Sequence, residues 1–128
     1  MPSSTVIPVL GYRDVAGAAA WLCDVFGFTV RLRIGDHRVQ LDVGDGAVVI
    51  AGGSTPPQSH AVMVRIDDVH RHHRHAAAAG AAVVAAPADF PYGERQYTVQ
   101  DPGGHIWTFS QTIADVDPAA WGGVLETR

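Results

Sequence analysis

The chain has 128 residues, a formal net charge of −4, nine basic residues that are all arginine, and one cysteine. That length is one domain with room for a core, and the negative balance argues against nucleic acid or an anionic membrane as partner. Cys23 has no partner for a disulfide within the chain, no apolar run approaches the ~20 residues of a membrane span, and Met1-Pro2-Ser3-Ser4-Thr5 lacks the features of a signal peptide, so the expected location is the cytoplasm.

In chain order, residues 6–12 form a short apolar run with strand character. Asp14 stands where a helix N-cap belongs, and residues 15–26 carry Ala18, Trp21, Leu22 and Val25 at helical spacing, with Gly27 placed to end the helix. Residues 28–34 and 38–43 alternate as strands, Gly44-Asp45-Gly46 reads as a hairpin turn, and residues 47–51 make a further strand. Residues 52–59 are a linker by composition. The order then starts again. A strand is expected at 60–66, a helix at 69–79 capped by Asp67-Asp68 and ended by Gly80, and a strand at 81–86. A loop follows at 87–93, then a strand at 95–100, a turn at Asp101-Pro102-Gly103-Gly104 and a strand at 105–110. Residues 113–128 are a tail with Trp121 as its anchor.

One pattern is therefore written twice, strand–helix–strand–strand–strand. Module one is expected over about 5–52, the linker over 53–59, module two over about 60–112 and the tail over 113–128, all within a single α+β domain. A unit of roughly 50 residues buries too little surface to stand alone, so the two should pack together.

Two stretches resemble the glyoxalase/bleomycin-resistance/extradiol dioxygenase superfamily, the vicinal oxygen chelate proteins. Arg13-Asp14 through Trp21-Leu22 to Phe26-Gly27-Phe28 is similar to that family's first helix and its LGF exit. Tyr92-Gly93-Glu94-Arg95, followed by Asp101-Pro102-Gly103-Gly104-His105-Ile106-Trp107, is similar to its YGxR…DPxGxxW closing hairpin. The resemblance covers residues 6–112. It implies two βαβββ modules forming a cupped mixed β-sheet with helices on the convex side, a small-molecule ligand in the cup, and a homodimer.

In metal-dependent members of that family, a His or Gln opens each module and a Glu lies on each module's last strand. Imidazole and carboxylate fix a divalent ion whose open positions chelate the substrate. Seven residues before Asp14 and Asp68 stand Ile7 and Ala61, and the last-strand positions fall on Ile50 and Thr108. None is a strong ligand, so no metal cofactor is expected. A slip of one residue brings in His60, which strand alternation then turns to the other face.

Alternation also suggests what lines the cup. Val39, Leu41, Val43, Tyr97, Val99, Trp107 and Phe109 form the apolar set expected to face the helices. Gln40, Asp42, Gln96, Thr98, Thr108 and Ser110 then supply polar groups to the cup, with Ile7, Val9, Ile50 and Met63 as apolar wall. Arg65 shares parity with Met63 and offers a positive charge, and Tyr92, with Phe90, sits in a loop at the cup mouth. The opposite parity puts Arg95, Tyr97 and Val99 inside instead.

His70, His72, His73 and His75 stand at i, i+3 spacings on the second helix and read as a solvated, titrating surface, with weak Zn²⁺ or Ni²⁺ binding as the alternative. Cys23 reads as a structural thiol, and no nucleophile elbow, phosphate loop or dinucleotide fingerprint is present. Two functions from different classes remain open. One is a metal-free binding protein for a small amphipathic or aromatic molecule, with a resistance or sequestration role. The other is a lyase, isomerase or dioxygenase, metal-dependent through a non-standard set such as His60 with Gln40 or Asp42, or metal-free with Asp42 or a Tyr as base.

Overall fold

The computed structural model describes residues 5–52 and 59–126. Residues 1–4, 53–58 and 127–128, and with them most of the expected linker, lie outside the described residues. Module one comprises β1 (Val9–Gly11), α1 (Val15–Phe26), β2 (Thr29–Ile34), β3 (Arg38–Val43) and β4 (Gly46–Ala51). Module two repeats the order with β5 (Ala61–Arg65), α2 (Val69–Ala78), β6 (Ala82–Phe90), β7 (Glu94–Gln100) and β8 (Ile106–Thr112). A single 3-10 turn, Pro118–Trp121, follows. The protein is thus α+β, built from two βαβββ modules. Its strands form two four-stranded mixed sheets, ordered β1-β4-β3-β2 and β5-β8-β7-β6, in which the first strand of each module runs parallel to its last. No helix among the described residues is long and apolar enough to cross a membrane.

Local chemistry accounts for the helix ends. The Asp14 carboxylate accepts the Gly17 amide at 2.9 Å, and the Asp68 carboxylate accepts the Arg71 amide at 3.1 Å, each satisfying an otherwise orphaned donor of the first turn. Gly27 closes α1 in the left-handed conformation, its amide bonded to the Cys23 carbonyl.

One expectation fails in β6. Residues 87–90, read as loop, continue the strand to Phe90. β6 is the edge of its sheet, and its pairing with β7 shifts register between Val83 and Ala85 and again between Ala85 and Ala88. An edge position and an irregular ladder are where a proline such as Pro87 is tolerated in a sheet.

The helix-facing sides of both sheets feed one core. Val39, Leu41, Val48 and Ile50 from module one join Tyr97, Val99, Trp107 and Phe109 from module two, with Leu22, Val25 and Phe26 of α1 and Val69 and Ala76 of α2. Phe26 is the joint: its ring meets Trp107 at 5.5 Å and Phe109 at 4.8 Å, both edge to face. Cys23 packs against this core, and burial raises its thiol pKa above the ordinary value.

Polar contacts fasten the modules as well. Asp101 is buried, and its carboxylate accepts four donors: the Gly103 amide at 2.9 Å, the His105 amide at 3.0 Å, the Trp107 indole at 2.9 Å, and the Tyr12 hydroxyl from module one. Burial, and then the neighbouring carboxylate, keep the Tyr12 hydroxyl protonated far above its usual range. The Tyr12 ring lies over Gly103, where a Cβ would come within 2.5 Å of it. His105 is fully buried; its Nδ1 accepts the His60 amide at 2.9 Å, and its Nε2 donates to the Gly11 carbonyl at 2.9 Å.

Two histidines of α2, His72 and His73, depart from the solvated surface expected of them, while His70 and His75 are exposed. His72 is half-buried, its ring 4.1 Å from that of Phe109. Its Nε2 donates to the Phe26 carbonyl at 3.1 Å, so Nδ1 accepts the Tyr97 hydroxyl. His75 donates to the Asp24 carbonyl at 2.8 Å, and His73 meets the Tyr97 ring edge-on at 5.2 Å. Sequence spacing put these residues on neighbouring helix faces, but it could not show that α1 ends against one of those faces.

Two outcomes follow for stability. Asp101→Ala strands four donors, three of them buried, and is expected to lose about 3 kcal/mol or more in chemical denaturation, with Tyr12→Phe losing about 1–2 kcal/mol. Wild-type stability of the Tyr12→Phe protein would show that this bond does not clasp the modules. His72 titrates below its ordinary value, chiefly because burial disfavours the charged ring. The unfolded chain therefore takes up the proton first, so this contribution is full above about pH 6.5 and is lost as pH falls below it. The urea midpoint should drop between about pH 7 and pH 5, and His72→Gln, which retains a donor for Phe26, should flatten that drop.

Candidate functional site

The faces turned away from the helices hold the candidate ligand-binding residues. In module two the pairing places Met63, Thr108 and Thr98 in one row, Arg65, Ser110 and Gln96 in the next, and Glu94 opposite Thr112 and Phe90 beyond that. In module one Val9, Val49, Gln40 and Leu32 form a row, with Asp42 opposite Ala47 and Thr29. Gln40, Asp42, Met63, Arg65, Gln96, Thr98, Thr108 and Ser110 therefore all lie on these open faces, and Tyr97, Val99, Trp107 and Phe109 on the opposite, helix-packed side.

Ile50 does not lie there. It is fully buried, directly opposite Val39, and belongs to the helix-side core. Val49 takes the open-face place beside Gln40. The cause is turn length. Two residues, Gly44 and Asp45, separate the paired Val43 and Gly46, whereas five, 101–105, separate the paired Gln100 and Ile106. The difference of three is odd, so counting through the two turns as equivalents flips the face.

On module two the polar side chains are tied into a chain. The Tyr92 hydroxyl donates to Gln96 at 3.3 Å, Gln96 donates to the Ser110 hydroxyl at 3.1 Å, and Ser110 donates to Glu94 at 2.9 Å. Thr98 and Thr108 share a bond of 3.0 Å. Beside this chain an aromatic shelf is built. The rings of Phe90 and Tyr92 stack at 5.4 Å, and Trp121 meets Tyr92 edge-on at 5.5 Å. Gly93 makes the shelf: its φ is +84°, and the space a Cβ would need is filled by the Ala114 carbonyl, whose residue's amide bonds back to the Gly93 carbonyl at 3.2 Å. The tail thus crosses the turn closely enough to set Trp121 on Tyr92. Met63 stands 64% exposed on the same face.

Glu94 and Trp121 join the candidate site through Ser110 and Tyr92, and the sequence did not single them out for it. Starting the strand at Arg95 left out Glu94, although it shares the two-residue period of Gln96 and Thr98. Trp121 was read only as an anchor, because nothing local reports where a tail lands.

Two grooves of about 570 and 390 Å³ lie on the helix side, at Trp21 and Gly103 and between the end of α1 and the start of α2. Neither includes an open-face side chain.

The pairing of two βαβββ modules, each with its first strand parallel to its last, defines the class of protein. The family model for the Glyoxalase/Bleomycin resistance protein/Dioxygenase superfamily matches residues 6–109, and the chain belongs to that superfamily. Among solved structures, TioX from Micromonospora sp. ML1 is 34% identical, with a TM-score of 0.78 over 86% of this chain and 99% of that one. A glyoxalase/bleomycin resistance protein from Streptomyces sp. CB03234 is 22% identical, with a TM-score of 0.72 over 84% and 100%. A lactoylglutathione lyase from Agrobacterium tumefaciens is 19% identical, with a TM-score of 0.71 over 86% and 94%. The last two show the fold alone. No curated protein matches the chain.

The positions that the superfamily's metal would use carry a poor donor set. Ile7, Ala61 and the two last-strand alternatives Ile50 and Val49 have no ligand atom, and the Thr108 hydroxyl is already paired with Thr98. Among the described residues no group of three or more His, Cys, Asp or Glu stands placed to hold a metal ion. These residues do not fit the ion.

The polar chain gives a test of its own. Ser110→Ala removes the hydroxyl that links Gln96 to Glu94 and is expected to lower unfolding free energy by about 1–2 kcal/mol. Thermal denaturation measures it, and an unchanged midpoint would mean the chain is not a fixed unit.

Proposed function

We propose that this protein binds a small amphipathic or aromatic molecule on its open faces without a metal, as a sequestration or resistance factor. The observation that carries the reading is the module-two face. An exposed thioether, Met63, and an aromatic shelf, Phe90, Tyr92 and Trp121, flank polar groups already oriented by their own bonds. Apolar wall with a few fixed polar groups suits a planar ligand, and Arg65 adds a charge for a carboxylate or phenolate. The unsuitable donor set at the superfamily's metal positions favours this over a metal-dependent lyase, isomerase or dioxygenase.

The working form is proposed to be a cytoplasmic homodimer. Val9, Leu32, Ile34 and Met63 stand 50, 45, 42 and 64% exposed, more apolar surface than isolated side chains account for, and a second copy would cover part of it. The free thiol of Cys23 suits a reducing compartment.

The test is titration with a set of naphthalene and anthracene derivatives in buffer containing EDTA, followed by tryptophan fluorescence, with sedimentation equilibrium beside it. Saturable binding is expected, weakened about tenfold in Phe90→Ala or Trp121→Ala, the loss of one aromatic contact. The expected mass is twice that of one chain. Binding that needs a divalent ion, or a product formed catalytically, would overturn the reading.

A further inference from the structure

We propose that Glu94 and the aromatic shelf of Phe90, Tyr92 and Trp121 form a site for an alkylammonium group carried by the ligand of module two's open face. The proposal rests on the binding reading above and adds the charge that the ligand must carry.

The rings of the shelf stand at an angle to one another. Phe90 and Tyr92 lie nearly parallel, 14° apart with centroids at 5.4 Å, and Trp121 stands across Tyr92 at 64° and 5.5 Å. Phe90 is 38% exposed and Trp121 43%, so ring surface is open to solvent on both sides of the angle. The face of an aromatic ring is the negative end of its quadrupole, and a cation within about 6 Å of the centroid is attracted to it.

Glu94 stands beside these rings. It is opposite Phe90 in the β6–β7 ladder, it is half-exposed, and its carboxylate is joined to Tyr92 through Gln96 and Ser110. The direction of those bonds decides its chemistry. The Tyr92 hydroxyl donates to Gln96, Gln96 to Ser110 and Ser110 to Glu94, so every proton in the chain points toward the carboxylate. Glu94 Oε1 accepts that one bond, and Oε2 accepts none from the described residues. An ionised carboxylate has about four acceptor sites and no donor, so the part of Glu94 left open takes donors only.

No cation of the chain fills the place. The ion pair among the described residues is that of Arg95 with Asp89. Arg65 shares the open face, but it is opposite Ser110 on β5, and β8 separates it from the strand of Glu94. The carboxylate and the ring faces are independent features that favour the same partner, a positive charge on an apolar stem. A neutral aromatic molecule uses the rings and leaves the carboxylate to water. An anionic group is repelled here and belongs with Arg65, across the face. An alkylammonium donates to Glu94 while its carbons lie on the rings.

A matched pair of probes tests this: 2-naphthylmethylamine, an ammonium at neutral pH, and 2-naphthylmethanol, which keeps the ring and a donor but not the charge. Both are titrated calorimetrically against the wild type and three variants. The wild type is expected to prefer the amine by about tenfold, the effect of one charge-assisted bond. Glu94→Gln keeps an acceptor for Ser110 and should bring the ratio to about two, the share of the ring attraction, with alcohol binding unchanged. Trp121→Leu should weaken both probes and lower the ratio about twofold. Asp36→Asn makes the same change of net charge in the turn between β2 and β3 and should leave the ratio as in the wild type.

A wild-type ratio near one, or a ratio that Glu94→Gln or Trp121→Leu leaves unchanged, overturns the proposal. So does a ratio that falls equally in Asp36→Asn, which would trace the preference to the overall charge of the chain. The wild-type ratio decides the matter even if a variant fails to fold. If the neutral aromatic set binds while amine and alcohol are not distinguished, only the charge assignment falls. If nothing in either set binds, the binding reading falls with it.

Discussion

A buried carboxylate between two half-proteins is the constraint on which the architecture turns. Neither module can bury its own core, so the chain must fix one against the other. Asp101 does this with a charge kept out of water, which is tolerable only because both of its oxygens are fully engaged. Two of its donors are backbone amides of its own turn and one is the Trp107 indole of its own module. These hold the carboxylate at a fixed angle. The Tyr12 hydroxyl then comes from the other module and finds the acceptor already in place. Gly103 and His105 follow from that meeting, the first because the Tyr12 ring occupies the space of a Cβ, the second because its ring reaches the Gly11 carbonyl. The turn motif that looks like a simple hairpin connection in the sequence is the latch between modules.

Much of the fold is legible in the amino-acid sequence. Helix α1 begins and ends where Asp14 and Gly27 signal it, and β3 spans the residues that alternate. Those features are local, and local features leave their mark in spacing. What failed was whatever depended on a partner distant in sequence. His72 looks like any residue of a polar helix until the end of α1 is placed against it. Ile50 was assigned to the wrong face because the two hairpin turns differ by an odd number of residues. β6 was cut short because Pro87 reads as a breaker, whereas an edge strand with two register shifts accommodates it. Glu94 and Trp121 fall in the same group: the first depends on where a strand starts, the second on where a tail lands.

The two open faces, though built on the same pattern, are in different chemical states. On module two the polar groups satisfy one another, which fixes their orientation, and Met63 and the aromatic shelf stand beside them as apolar surface. On module one the central polar group, Gln40, is buried, and its Oε1 has no hydrogen-bond partner among the described residues.

The tail joins this logic through one residue. Trp121 reaches Tyr92 because residues 113 and 114 bond back to the Gly93 carbonyl, and they reach it because Gly93 alone presents no Cβ to the crossing chain. Tyr92 in turn donates to Gln96, the first link of the polar chain across the face. A contact made by the tail is therefore connected, bond by bond, to Ser110 and to Glu94 at the start of β7. The segment that lies outside the repeated modules, and that owes nothing to their duplication, sets the rim against which a ligand would stack.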